Sequence, residues 1–187
     1  MCIRDSNILE NAAQSGSMAA SSDKAEEIYM VPAFTGLGAP YWAPRAKGAI
    51  FGLTRNTGPN ELARAALEAS CYQTRDLLEA MTQDFNSSEY SQTVLRVDGG
   101  MSESDWTMQF LSDILNSNVD RPEILETTAL GAAYLAGLFM DFYPRPPEFS
   151  KIWMLDKRFE PEISATQREK KSAGWLACVD QVLKVKS

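Results

Sequence analysis

The chain has 187 residues, 44% of them hydrophobic and 23% charged, a globular composition long enough to bury a core as one domain or a piece of one. Its 18 Lys and Arg against 25 Asp and Glu leave a net charge of −7, which argues against a nucleic-acid partner, since phosphate neutralisation needs clustered basic residues. Histidine is absent, which excludes Ser-His-Asp and Cys-His catalysis and His-ligated metals.

Residues 1–27 are polar and rich in Ser, Ala and Asn. They read as a loosely held leader, with a helical turn or two over 7–13. A strand is predicted over 28–31, then a loop dense in Gly and Pro (Gly36, Gly38, Pro40, Pro44). Residues 48–53 form a short extended segment bounded by glycines. A long helix is predicted from Pro59 to about Met81, with Pro59 suited to the first helical position and Glu61 to the positive end of the helix dipole. Thr93 to Val97 reads as a strand that runs into Asp98-Gly99-Gly100. The next helix is expected to be capped by Ser102, with Asp105 in the capping-box position and Trp106, Phe110 and Ile114 along its core stripe. The segment 119–122 is too short to assign. Thr127 or Thr128 is expected to cap a helix that runs through Met140 and is stopped by Pro144, Pro146 and Pro147. A strand around 152–155 follows. A last helix from Ser164 to about Lys184 opens on the capping box Ser164 to Gln167. Alternating strands and helices indicate an α/β class.

The three cysteines, Cys2, Cys71 and Cys178, are far apart and form no CxxC pair, so neither a zinc site nor a disulfide framework is spelled out and a cytoplasmic setting is expected. The apolar stretch 127–140 falls short of the roughly 18–20 residues that span a bilayer, and no secretory signal is present.

The strongest local signal is strand–Asp98-Gly99-Gly100–helix. Free amides at a helix start suit phosphate or other polar ligand atoms, and glycines let a ligand approach the backbone. A tight structural turn explains the same residues. Gly36-Leu37-Gly38 lacks the third glycine of a dinucleotide fingerprint and reads as a structural loop. Tyr41 and Trp42 suit either stacking on a ligand or anchoring that loop. The small residues Gly131, Ala132, Ala133, Ala136 and Gly137 suit tight helix packing.

Several segments together resemble the C-terminal part of the FGGY family of carbohydrate kinases, the glycerol kinases in particular. These are VPAFTGLGAPYW over 31–42, GAIFGLTR over 48–55, YQTRD over 72–76, RVDGG over 96–100 and TALGAAYLAG over 128–137. The resemblance implies a partial actin-like, RNase-H-like ATPase domain over 28–187, and 1–27 as a truncated or partly foreign upstream segment. It implies a phosphotransferase using ATP, Mg2+ and glycerol, and leaves a homo-oligomer open. Gly100 maps to a nucleotide contact of the family. A second maps four residues on to Ser104, where the family often has Asn. No catalytic residue and no metal ligand map onto this chain. The family's phosphate loop, glycerol pocket and general-base Asp belong to segments not matched here, so the chain alone is expected to be inactive and prone to associate. Another FGGY sugar kinase, or a non-catalytic nucleotide-binding module, remains the alternative.

Overall fold

A computed structural model describes residues 8–22, 27–85 and 94–185. Among the described residues there are two small sheets and six helices. Strands β1 (Tyr29–Val31) and β2 (Ala49–Phe51) pair antiparallel, with Tyr29 opposite Phe51. The second sheet has the order β3-β4-β5, from β3 (Leu95–Arg96), β4 (Val119–Pro122) and β5 (Leu155–Phe159). β3 and β4 are parallel, joined through helix α3 (Asp105–Leu115), and β5 runs antiparallel to β4. The unassigned segment 119–122 is thus the central strand, with Val119, Asp120 and Pro122 buried.

Helix α2 (Pro59–Phe85) starts at Pro59, and the Gly58 amide donates to the Glu61 carboxylate at 2.9 Å. Its buried stripe runs through Ala65, Glu68, Ala69, Tyr72 and Asp76, a helical spacing that carries two carboxylates into the interior. Burial pushes the pKa of both upward, while Lys171 and Arg64 oppose it at Glu68 and Trp175 and Tyr41 oppose it at Asp76. Helix α6 (Ala165–Lys184) carries the capping box expected for it, with Ser164 and Gln167 bonded reciprocally.

Tyr72 is the centre of the core. It stacks on Trp175 of α6 at 5.2 Å, meets Phe110 of α3 edge-on at 5.5 Å, and lies 5.9 Å from Tyr29 of β1. One residue from each of four elements converges there. The glycine-rich loop after β1 is tied to the same core by Tyr41, whose hydroxyl donates to Asp76, whereas Trp42 is exposed.

Four expectations change. Much of the stretch read as a loose leader forms helix α1 (Ile8–Ala20), packed against α2, α3 and the turn before α3. Small residues allow this: Ala19 is buried, and Gly16 lies so close to Ser104 that an added Cβ would stand 2.5 Å from its Oγ. The cap of α3 is Ser104, not Ser102, because a 3-10 turn (Gly100–Glu103) intervenes. Helix α4 (Thr127–Phe139) has Glu126 at its cap, without a side-chain bond, so Thr127 is its first residue rather than its cap. The strand expected around 152–155 begins at Leu155, after helix α5 (Pro146–Phe149) and a short 3-10 turn. α4 buries none of its residues, although its Gly137 lies so close to the Tyr143 ring that an added Cβ would clash with it. None of the described helices is long and apolar enough to cross a membrane.

Candidate functional site

The turn 98–104 follows β3 and leads into α3. The Val97 amide still bonds to the Asp120 carbonyl of β4 at 3.1 Å. The Gly99 amide then donates to the Leu125 carbonyl at 3.0 Å, which draws the chain away from the sheet. Gly99 has φ 83° and ψ 171°, a combination that essentially only glycine adopts. The Asp98 carboxylate accepts a hydrogen bond from the Thr127 hydroxyl, at the start of α4.

Gly100 is half-buried and opens the 3-10 turn. Within the turn, the Ser102 amide and hydroxyl both donate to the Gly99 carbonyl, at 3.0 and 2.6 Å. The amides of Gly100 and Met101 precede the first of these bonds and have no protein acceptor among the described residues. They are the orphan donors of a helical start.

Ser104 is buried and occupied. Its Oγ accepts from the Thr107 amide at 3.2 Å and from the Thr107 hydroxyl at 2.9 Å. Accepting these two bonds uses the lone pairs of Oγ and does not commit its own O–H proton. The structure therefore brings Gly100 and Ser104 to the two ends of one turn, with different environments: Gly100 opens it, and Ser104 locks it to α3.

Arg121, which sequence reasoning missed, completes the surroundings. It projects from β4, and its Nε donates to Asp156 at 2.7 Å. Its Nη1 donates to the Ser102 carbonyl at 2.9 Å, the Glu103 carbonyl at 3.3 Å and the Asp105 carboxylate at 2.8 Å. Lys157 also bonds Asp105, at 2.6 Å. Burial alone would lower the Arg121 pKa; the bonds from Asp156 and Asp105 outweigh it and raise the pKa. Lys157 above all, with Arg121 beside it, holds the Asp105 carboxyl below the usual carboxylate range, against a smaller opposing effect of burial. The only advance signal for Arg121 was an Arg in a short run bounded by Val119 and Pro122, which fixes neither its strand nor its direction.

Two sizeable cavities lie elsewhere: about 470 Å³ beside Trp42 and Val182, and about 620 Å³ between Leu78, Leu95, Leu115 and Arg168. Among the described residues no three Cys, Asp or Glu converge.

Comparison with known proteins gives one consistent answer. The model of the FGGY family of carbohydrate kinases, C-terminal domain, matches residues 2–140, which takes in α1 as well as the turn. The glycerol kinase of Bradyrhizobium diazoefficiens is 59% identical over 176 residues, covering 94% of this chain and 35% of that protein. The crystal structure of Plasmodium falciparum glycerol kinase with ADP superposes with a TM-score of 0.80 at 30% identity, over 97% of this chain and 36% of that one. A ligand-bound xylulose kinase from Lactobacillus acidophilus, at 20% identity and a TM-score of 0.74, shares the fold. This chain thus spans about a third of the length of the curated relatives it matches. It belongs to the FGGY family of carbohydrate kinases and corresponds to part of their C-terminal region.

Proposed function

We propose that this chain is the nucleotide-holding C-terminal part of an ATP-dependent glycerol kinase, which converts glycerol and ATP to glycerol 3-phosphate and ADP. The observation that carries this reading is the Gly99-Gly100 turn, whose two unpartnered amides start a helical segment in a chain 59% identical to a glycerol kinase. The match to a glycerol kinase solved with ADP supports it.

In this reading the amides of Gly100 and Met101 donate hydrogen bonds to the nucleotide, and the absence of a side chain at Gly100 lets it lie against the backbone. Ser104 acts through its cap rather than by direct contact, holding the end of the turn against α3. Phosphoryl transfer to a hydroxyl depends on positioning and on charge stabilisation, so a rigid hold on the nucleotide is a contribution in itself. Mg2+, when bound, would supply positive charge against the phosphates. Neither its ligands nor the residue that takes the glycerol proton is assigned to the described residues. Free thiols at Cys71 and Cys178 agree with a cytoplasmic setting.

The test is calorimetric titration of the chain with ADP, alone and as Gly100→Val. Binding by the wild type and its loss in the variant, with the circular dichroism spectrum retained, is the expected result. Equal binding by both would remove Gly100 from the site.

A further inference from the structure

The turn that presents Gly100 is held at both ends but not by the same means. Its first half is fixed by backbone bonds to the sheet and to the Leu125 carbonyl, and by the Asp98–Thr127 bond. Its second half breaks off at Ser104, where the backbone becomes extended (ψ 104°) before α3 begins. That break leaves the Ser102 and Glu103 carbonyls at the end of a helical turn without continuing helix to bond them. A single guanidinium meets both.

We infer that Arg121 is a positioning residue for the nucleotide: it fixes the 3-10 turn against the central strand, and so sets the direction of the Gly100 and Met101 amides. This rests on the nucleotide reading of the turn. Three features of the geometry support it. Arg121 stands on β4, the strand paired on both sides, which is the most constrained base in this sheet. Its guanidinium spans three elements at once, bonding two carbonyls of the turn, Asp105 in the first turn of α3 and Asp156 of β5. It also lies 5.4 Å from the ring centroid of buried Phe159, within cation–π range. The side chain is only 12% exposed, and its bonds to the Ser102 and Glu103 carbonyls are part-buried, whereas Asp105 and Asp156 remain open to solvent.

The planar fork of an Arg is needed for this. A Lys at 121 keeps the charge, but its three donors radiate from one atom and do not reproduce the two nitrogens that reach Asp156 on one side and the turn carbonyls on the other. Stability alone does not explain the arrangement either. The neighbouring pair Arg158–Asp120, bidentate at 2.6 and 2.8 Å, ties β5 to β4 without touching the turn.

The experiment measures ADP affinity of the 187-residue chain and four variants by calorimetry, with amide NMR shifts of Gly100 and Met101 and urea midpoints alongside. The expected result is that Gly100→Val abolishes binding, Arg121→Ala weakens it about tenfold, Arg121→Lys falls between, and Arg158→Ala loses stability at unchanged affinity. The Gly100 and Met101 resonances shift in Arg121→Ala before any ADP is added. Wild-type affinity in Arg121→Ala, or equal weakening in Arg158→Ala, overturns the role of Arg121 while leaving the nucleotide reading in place. Failure of the wild type to bind, or undiminished binding by Gly100→Val, overturns the nucleotide reading and this inference with it. If Arg121→Ala does not fold, Arg121→Lys decides alone, and wild-type affinity in it is the refuting result.

Discussion

Replacing Trp175 by Phe separates a hydrogen bond from the packing that surrounds it. Trp175 is 1% exposed and stacked on Tyr72, and its indole N–H donates to Asp76 Oδ2 at 2.7 Å. The Tyr41 hydroxyl donates to the same oxygen, also at 2.7 Å. Phe preserves much of the stack and removes one of the two donors. A hydrogen bond to a charged group contributes about 1.5–3 kcal/mol, and the smaller ring leaves a void that costs about 1 kcal/mol more. The variant is therefore expected to lose about 3 kcal/mol at neutral pH, measured by urea denaturation followed in the near-ultraviolet. The pH dependence is the sharper test. Burial raises the Asp76 pKa while Trp175 and Tyr41 hold it down, so removing a donor raises it further. A carboxyl whose folded pKa is raised costs stability when ionised, and that cost disappears as pH falls through the folded value. The deficit of Trp175→Phe should accordingly shrink as the solution is acidified, leaving only the packing component. A deficit under about 0.5 kcal/mol, the range of an inconsequential surface change, or one that does not vary with pH, would refute the reasoning.

Two further outcomes follow from the turn and its neighbours. Gly16→Ala drives a methyl into the Ser104 hydroxyl; overpacking costs about 1–3 kcal/mol against about 1 kcal/mol gained in helix propensity, so a net loss near 1 kcal/mol is expected, and Ser104→Ala in the same chain should recover part of it. Asp105 has a depressed pKa, so its pairing with Lys157 and Arg121 stabilises the fold above the ordinary Asp value of about 3.9 and is lost as pH falls through its lower folded value. Asp105→Asn should flatten that part of the acid denaturation curve, and added salt should do the same in the wild type.

Elements that carry their own local signals were legible in advance. Pro59 with Glu61 marked the start of α2, the Ser164–Gln167 box marked α6, and Asp98-Gly99-Gly100 marked the turn, all through chemistry within a few residues. What failed depends on partners distant in sequence. Nothing in Val119 to Pro122 reveals a central strand, because its assignment comes from β3 on one side and β5 on the other. β5 exposes four of its five residues, so the apolar pattern that located a strand slightly upstream had little to follow. Ser102 and Ser104 both present a hydroxyl three residues before a plausible third helical position, and only the intervening 3-10 turn decides between them. α1 was hidden for a different reason: its contact surface uses Gly16 and Ala19, and small residues make close packing without raising hydrophobicity. The buried Glu68 and Asp76 broke the apolar periodicity of α2, with Lys171 and Trp175 of α6 among their partners. At the site, Gly100 was readable from its motif, whereas Arg121 became readable only once β4 had been placed beside the turn.

Gly99 shows how selection at a position can be independent of crowding. An added Cβ there meets no atom within 4 Å, so the first side-chain carbon would have room. The barrier is torsional, about 1–3 kcal/mol for an L residue held in that region, and it applies alike to alanine and to tryptophan. Substitutions at 99 should therefore rank by backbone preference and show no trend with side-chain volume, a pattern opposite to that of a filled core position.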